Sequence, residues 1–166
     1  ESAKVDLFKR LDQIVTDQDA ILASNTSSIP IMKLGMATHC AGRVIGMQGM
    51  NGPDVAGTRR LETGSWLGLP FQGQGLGTRM RRMMCALAFD GLGLDAVTSS
   101  AWEDNAASRR VSEKVGYLET GRGQAERRGV PTGEVFFELR PEGFVHGDEP
   151  VRITGAEELR RFLGLG

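Results

Sequence analysis

Cysteine is scarce in this 166-residue chain, with Cys40 and Cys85 its only two. Two thiols cannot form a disulfide framework, and these lack metal-ligand spacing, so a reducing, cytoplasmic setting is expected. Net charge is equally slight. A balance of −1 and a pI near 6.2 give no electrostatic case for nucleic acid or an anionic membrane as partner. No apolar run approaches the ~20 residues needed to span a bilayer, and no signal peptide opens the chain. The first residue is Glu1 rather than Met, as in a processed or truncated product. What remains is ordinary for a globular protein. Its 40% hydrophobic and 25% charged residues suit one domain, or one domain plus a fragment.

Lysine is unevenly placed. Residues 1–58 carry five basic side chains, of which Lys4, Lys9 and Lys33 are lysine; residues 59–166 carry fifteen, of which only Lys114 is lysine. The shift suggests two segments of different origin. The turn-forming stretch Gly49-Met50-Asn51-Gly52-Pro53 is the natural seam.

The first segment has an α/β rhythm. Residues 2–15 read as an amphipathic helix with an apolar stripe of Val5, Leu7, Phe8, Leu11, Ile14 and Val15. A strand at 20–23, a turn at 25–28, a helix at 31–38 and a strand at 43–47 follow. So short a piece rarely buries enough surface to fold alone. In the second segment, 64–69 reads as a strand and 78–89 as a helix with Met80, Met83, Met84, Leu87 and Ala88 on its apolar face. Ala96–Trp102 is a strand. Asp104 is expected to cap a helix over 105–115, ended by Gly116. Strands at 117–120 and 134–139 and a final helix over Ala156–Leu163, capped by Thr154, complete the series.

Gln72-Gly73-Gln74-Gly75-Leu76-Gly77 falls between a strand and a helix. Glycines let the backbone wrap close to a ligand, and the unpaired first-turn amides of the helix favour an anion. A dinucleotide fingerprint starting at Gly73 needs a glycine where Thr78 stands, and the P-loop's Gly-Lys-Ser/Thr never occurs. Arg79, Arg81 and Arg82 open the helix against its dipole, an arrangement that an anionic ligand would favour. Without a ligand they would read as a solvated face.

The pattern Q/R-x-x-G-x-G/A resembles the pyrophosphate loop of the GNAT acyltransferase superfamily. Glu62-Thr63-Gly64-Ser65-Trp66-Leu67-Gly68, and Asn105-Ala106-Ala107-Ser108 followed by Gly116-Tyr117, resemble its ribosomal-protein N-acetyltransferase-like branch. The resemblance implies a partial GNAT fold of α/β (α+β) class over 59–166, with a mixed sheet whose central strands splay and helices flanking it. It also implies acetyl-CoA as co-substrate. Backbone amides of Gln72, Gln74, Gly75, Gly77 and Thr78 would hold its pyrophosphate, Ser65, Trp66 and Leu67 its pantetheine arm, with Asn105 bonding to that arm. Leu67 N–H would polarise the thioester, Glu62 would serve as base, and Ser108 would serve as acid. Many members place a Tyr acid where this chain has Ser112. The implied reaction is direct attack of a primary amine, on a small molecule or a protein N-terminus, without an acyl-enzyme. The oligomeric state is left open.

Residues 1–48 resemble part of the NAD-binding domain of 3-hydroxyacyl-CoA dehydrogenases. The resemblance rests on Val5-Asp6-Leu7-Phe8-Lys9-Arg10-Leu11-Asp12, on Ala23-Ser24-Asn25-Thr26-Ser27-Ser28-Ile29-Pro30-Ile31, and on Arg43-Val44-Ile45-Gly46-Met47. Where that family has its catalytic His, this chain has Gln48, which cannot exchange a proton at neutral pH. The dinucleotide loop is missing too, so NAD is not expected as a cofactor. His39 and His146 fall outside the motif. The expectation is a Rossmann-derived stub over 1–58 preceding a GNAT-like domain that lacks the usual N-terminal elements. The alternatives are a dehydrogenase fragment without its base, or an inert CoA-binding chimera.

Overall fold

The computed structural model describes residues 45–166, together with helical positions 6, 9, 10, 13 and 14. Ile14, placed in the apolar stripe of the first helix, is 75% exposed. The strand at 20–23, the turn at 25–28, the helix at 31–38, and Asn25, Ser27, His39 and Cys40 lie outside the described residues.

Five described strands form one mixed sheet. β1 (Gly46–Asn51) pairs antiparallel with β2 (Arg60–Leu67) along its whole length, from Gly46 opposite Leu67 to Asn51 opposite Glu62. The proposed seam at 49–53 therefore starts inside a strand. Residues on its dehydrogenase-like side supply a sheet edge to the rest. β2 runs parallel to β3 (Ala96–Trp102), β3 antiparallel to β5 (Val130–Leu139), and β5 antiparallel to β4 (Leu118–Arg127), in the spatial order β1-β2-β3-β5-β4.

β4 and β5 are far longer than the two short strands expected. Their connection is Arg128 and Gly129, both at positive φ, which is the two-residue hairpin geometry that matches strand twist. Arg-Gly lacks the asparagine or aspartate that usually announces this turn.

Alternation sorts the sheet into two faces. Leu61, Thr63, Val97, Ser99, Ala101, Val135, Phe137 and Leu139 are buried, while Glu62, Trp66 and Phe136 on the other face are exposed. Helices α1 (Leu76–Ala86) and α2 (Ala106–Val115) cover the buried side. The core there gathers Leu92, Leu94, Val97, Val115 and Val135, each at most 2% exposed, with Phe89, Tyr117 and Phe144 around them. Burying each such aliphatic side chain contributes roughly 1.5–3 kcal/mol.

The phase of α1 differs from expectation. Its buried residues are Arg81, Cys85 and Ala86, whereas Met83 is 50% exposed. Beyond Ala86 the chain widens into a π-turn over Leu87–Gly91 instead of continuing as α-helix. α2 starts one residue later than expected because Asn105, not Asp104, is the cap. Asn105 has non-helical φ and ψ and accepts from Ser108 N–H at 3.1 Å. Asp104 instead pairs with Arg127 at 2.9 Å.

α2 ends as expected at Gly116. With φ of 104°, its N–H and that of Tyr117 return to the Glu113 and Ser112 carbonyls in a Schellman closure. α3 (Ala156–Leu163) follows Gly155 and has no side-chain cap, so Thr154 does not play that part. Arg160 anchors the C-terminal segment by donating to the Leu92 and Leu165 carbonyls.

Candidate active site at the strand gap

The ladder between β2 and β3 is short. It joins Arg60, Leu61 and Glu62 to Ala96, Val97 and Thr98, and then the strands part. Gly68 N–H donates to the Ile45 carbonyl at 2.8 Å, so these two residues form a hydrogen-bonded pair. Alternation along an antiparallel ladder then turns the main-chain groups of Leu67, Ser65 and Thr63 away from β1 and toward the gap. Two side chains meet these groups. Ser99 Oγ donates to the Thr63 carbonyl at 3.1 Å, and Gln72 Nε2 to the Leu67 carbonyl at 2.8 Å.

Below the point of parting, side chains replace the missing backbone bonds. Arg81 Nη1 donates to Ser99 Oγ at 2.9 Å and Nη2 to Ser65 Oγ at 3.2 Å, bridging β3 to β2. Thr63 Oγ1 donates to the Thr98 carbonyl and lies 3.0 Å from the Tyr117 hydroxyl, which Cys85 Sγ meets at 3.3 Å. Burial pushes the Tyr117 hydroxyl well above the usual phenol range, and the neighbouring Cys85 adds to the effect while Arg81 opposes it. Burial likewise raises the Cys85 thiol, against the Tyr117 hydrogen bond and Arg81. Both groups stay neutral at physiological pH, so this cluster is structural glue rather than a source of protons.

The glycine loop leads from β2 to α1. Gly73 and Gly75 have φ of 74° and 82°, and a Cβ at either would meet no atom within 4 Å. Glycine is needed there for its left-handed backbone, not for space. Gly75 caps α1 without a side-chain bond, and the first intrahelical donor is Arg79 N–H, to the Gly75 carbonyl. The amides of Leu76, Gly77 and Thr78 are therefore left as first-turn donors at the positive end of the helix dipole. Gly77 also allows close approach, since its Cβ position lies 3.6 Å from Val111.

Loop, gap and α2 enclose one cavity of about 510 Å³. Ser65, Trp66, Leu67, Gln72, Gly75, Gly77, Thr78, Asn105 and Ser108, all singled out from sequence, line it. Two are not brought in. Gln74 turns its side chain back to the Pro70 carbonyl at 2.8 Å and faces a neighbouring depression beside Arg79, Arg82 and Lys114. Glu62 is exposed on the opposite face of the sheet, level with Thr98 where the strands are still paired. Ser112 is 1% exposed, and among the described residues its buried Oγ has no hydrogen-bond partner, so it cannot replace the Tyr acid.

The three arginines of α1 diverge. Arg79 is exposed and pairs with Glu149, Arg82 reaches the Lys114 carbonyl, and Arg81 is buried in the cavity wall. Sequence reasoning missed the role of Arg81. Its spacing from Cys85 and Ala88 was the available signal, since those small residues mark the buried line of the helix.

The Acetyltransferase (GNAT) domain model matches residues 13–118. The chain belongs to the GNAT acetyltransferase family. Over 81 residues it is 35% identical to YdaF of Bacillus subtilis strain 168, a ribosomal N-acetyltransferase by name, covering 49% of this chain and 44% of that protein. A crystal structure of a protein named as an acetyltransferase superposes with a TM-score of 0.56 at 30% identity, covering 59% of this chain and 56% of that one. The ribosomal-protein-S5-alanine acetyltransferase from Vibrio fischeri shares the fold at a TM-score of 0.56 and 16% identity, over 61% of this chain and 56% of that one. A further 51 residues' match, at 55% identity, is to a 3-hydroxybutyryl-CoA dehydrogenase of Mycobacterium tuberculosis strain H37Rv. It covers 31% of this chain and 18% of the dehydrogenase, in keeping with the resemblance read in residues 1–48. The chain thus spans less than half the length of these curated relatives. The GNAT match begins upstream of the compositional seam, and β1 lies within it.

Proposed function

We propose that this GNAT chain binds acetyl-CoA in the cavity beside the strand gap and transfers its acetyl group to a primary amine. The observation that carries this reading is a splayed strand whose main-chain groups face a cavity closed by a free helix N-terminus. A diphosphate suits that terminus. Amides of the loop and of the first turn of α1, from Gly73 to Thr78, donate to it, and the dipole favours its charge. The Gln72 N–H, expected among them, is taken by the Leu69 carbonyl at 3.1 Å. Gln74 contributes through its amide alone, because its side chain is engaged with Pro70. Arg82 and Lys114 beside the second depression add positive charge for the remaining phosphate, while Arg79 there is paired with Glu149. A pantetheine arm, with its own amides, takes the place along Ser65–Leu67 that β3 vacates, and Asn105 offers Nδ2 to it while Oδ1 caps α2.

Acetyl-CoA supplies the activated acyl group, and the residues of the chain orient it and move protons. Leu67 N–H, turned into the gap, donates to the developing oxyanion of the thioester. The acceptor nitrogen bonds to the acyl carbon as the carbon–sulfur bond breaks, and the nitrogen gives up its excess proton to solvent. Amines are mostly protonated at neutral pH, with pKa values from about 8 for an α-amino group to about 10.4 for lysine, so a base must take a proton first. Glu62 serves through a relay of waters from the opposite face of the sheet, because it stands five extended positions along β2 from Leu67, and the acceptor approaches from that side. Ser108, in the cavity wall, passes a proton to the leaving thiolate and regains one from solvent. The acceptor is a small-molecule amine or a protein N-terminus.

Release of free thiol from acetyl-CoA, measured with a dye across a panel of amines and N-terminal peptides, tests the reading. Amine-dependent release that falls in Glu62→Gln, with KM for acetyl-CoA unchanged, is expected. Binding of acetyl-CoA without release for any amine would leave an inert CoA-binding chimera, and thermal stabilisation by NAD alone would favour a dehydrogenase fragment.

A further inference from the structure

Arg81 is 2% exposed, yet among the described residues no carboxylate lies within ion-pair distance of it. Its partners are neutral: Ser99 Oγ, Ser65 Oγ and the face of Tyr117, 5.6 Å from ring centroid to guanidinium carbon. Among the described residues its Nε has no hydrogen-bond partner. A buried guanidinium ordinarily sits opposite an anion, because desolvating the charge costs several kcal/mol that two hydroxyls return only in part. The same side chain forms part of the cavity wall, together with Ser65, at the closed end of the strand gap. Ser65, which holds that guanidinium through its Oγ at 3.2 Å, stands two positions along β2 from Leu67, where the thioester is placed.

We infer that Arg81 is an anion receptor for the acyl chain, so that the site prefers acyl-CoA thioesters whose acyl group ends in a carboxylate over acetyl-CoA. This rests on the acyl-CoA reading of the cavity and names the donor class it selects. A four-carbon acyl chain with a terminal carboxylate supplies the counter-charge that Arg81 lacks. The guanidinium then exchanges a neutral hydroxyl contact for a charge-assisted one. A brace that only ties β2 to β3 would be indifferent to the charge of the acyl group.

Calorimetric titration of the full chain with acetyl-CoA, butyryl-CoA and succinyl-CoA separates these cases. Butyryl and succinyl have four carbons each and differ in the terminal carboxylate. Succinyl-CoA is expected to bind at least roughly tenfold more tightly than butyryl-CoA. That ratio should fall to about one in Arg81→Met and be kept in part by Arg81→Lys. Equal affinities in the unaltered protein overturn the inference, whatever the variants do, and so does a ratio that survives in Arg81→Met. Acetyl-CoA binding without a succinyl preference removes this inference and leaves the proposed function standing. Absence of binding by all three thioesters removes both.

Discussion

Replacing Gly75 with aspartate tests the anion site where it is most exposed. Gly75 caps α1 at φ 82° and ψ −12°, and a side chain there meets open space, so Gly75→Asp causes no steric collision in the free protein. A left-handed residue costs about 1–2 kcal/mol, less for aspartate, and an acidic group at a helix N-terminus returns 0.3–1 kcal/mol. Thermal stability should therefore move little. Affinity should move far more. A carboxylate roughly 5 Å from a diphosphate oxygen repels it by about 3 kcal/mol at an effective dielectric near 20, and by under 1 kcal/mol in bulk water. The site lies between these limits, so the Kd for acetyl-CoA should rise roughly 5- to 100-fold. Gly75→Ala carries the strain without the charge and sets the baseline. Calorimetry at low and physiological salt is the assay, and the excess loss in the aspartate variant should shrink as salt screens it. Aspartate and alanine variants within twofold of one another would refute the placement of the phosphates.

Asn105→Asp keeps the acceptor that caps α2 and removes the amide donor, so it should weaken acetyl-CoA binding in calorimetry while leaving the melting temperature unchanged or slightly raised. Gly116→Ala should lower stability by at least about 2 kcal/mol in denaturant unfolding, from left-handed strain and a collision with the Gly143 carbonyl. The Arg60 guanidinium beside Glu138 holds its carboxyl below the usual glutamate range, with Arg140 assisting. A lowered folded value stabilises the protein above the ordinary glutamate pKa, about 4.3, and this contribution is lost as pH falls through the folded value. Arg60→Met should therefore flatten the dependence of melting temperature on pH below that point.

How far the sequence could be read depended on what kind of signal each feature carries. The glycine loop was legible because its two left-handed turns demand glycine, and the first-turn amides follow from helix geometry alone. The α2 segment was legible from Asn105 and Gly116, residues that cap helices by local hydrogen bonds, although the neighbouring Asp104 competed for the same assignment. β4 and β5 were read too short because Arg128-Gly129 makes a hairpin without its usual residues, and because Gly121, Arg122 and Gly123 break the alternation. Arg81 was illegible as a buried residue because hydrophobic periodicity counts a charge as exposed. Its partners, serines on β2 and β3 that stand 16 and 18 positions away and the face of Tyr117, come together only in the fold. The strand before the loop was read as 64–69 and spans Arg60–Leu67, so Glu62 lies inside it, and which face it takes depends on strand register, a tertiary property.

A crystal structure of the chain with acetyl-CoA tests the account at its centre. The expected complex has diphosphate oxygens within hydrogen-bonding distance of amides from Gly73 to Thr78, and the thioester beside Leu67 in the gap between β2 and β3. Coenzyme density anywhere else, with that helix terminus facing only solvent, would contradict it.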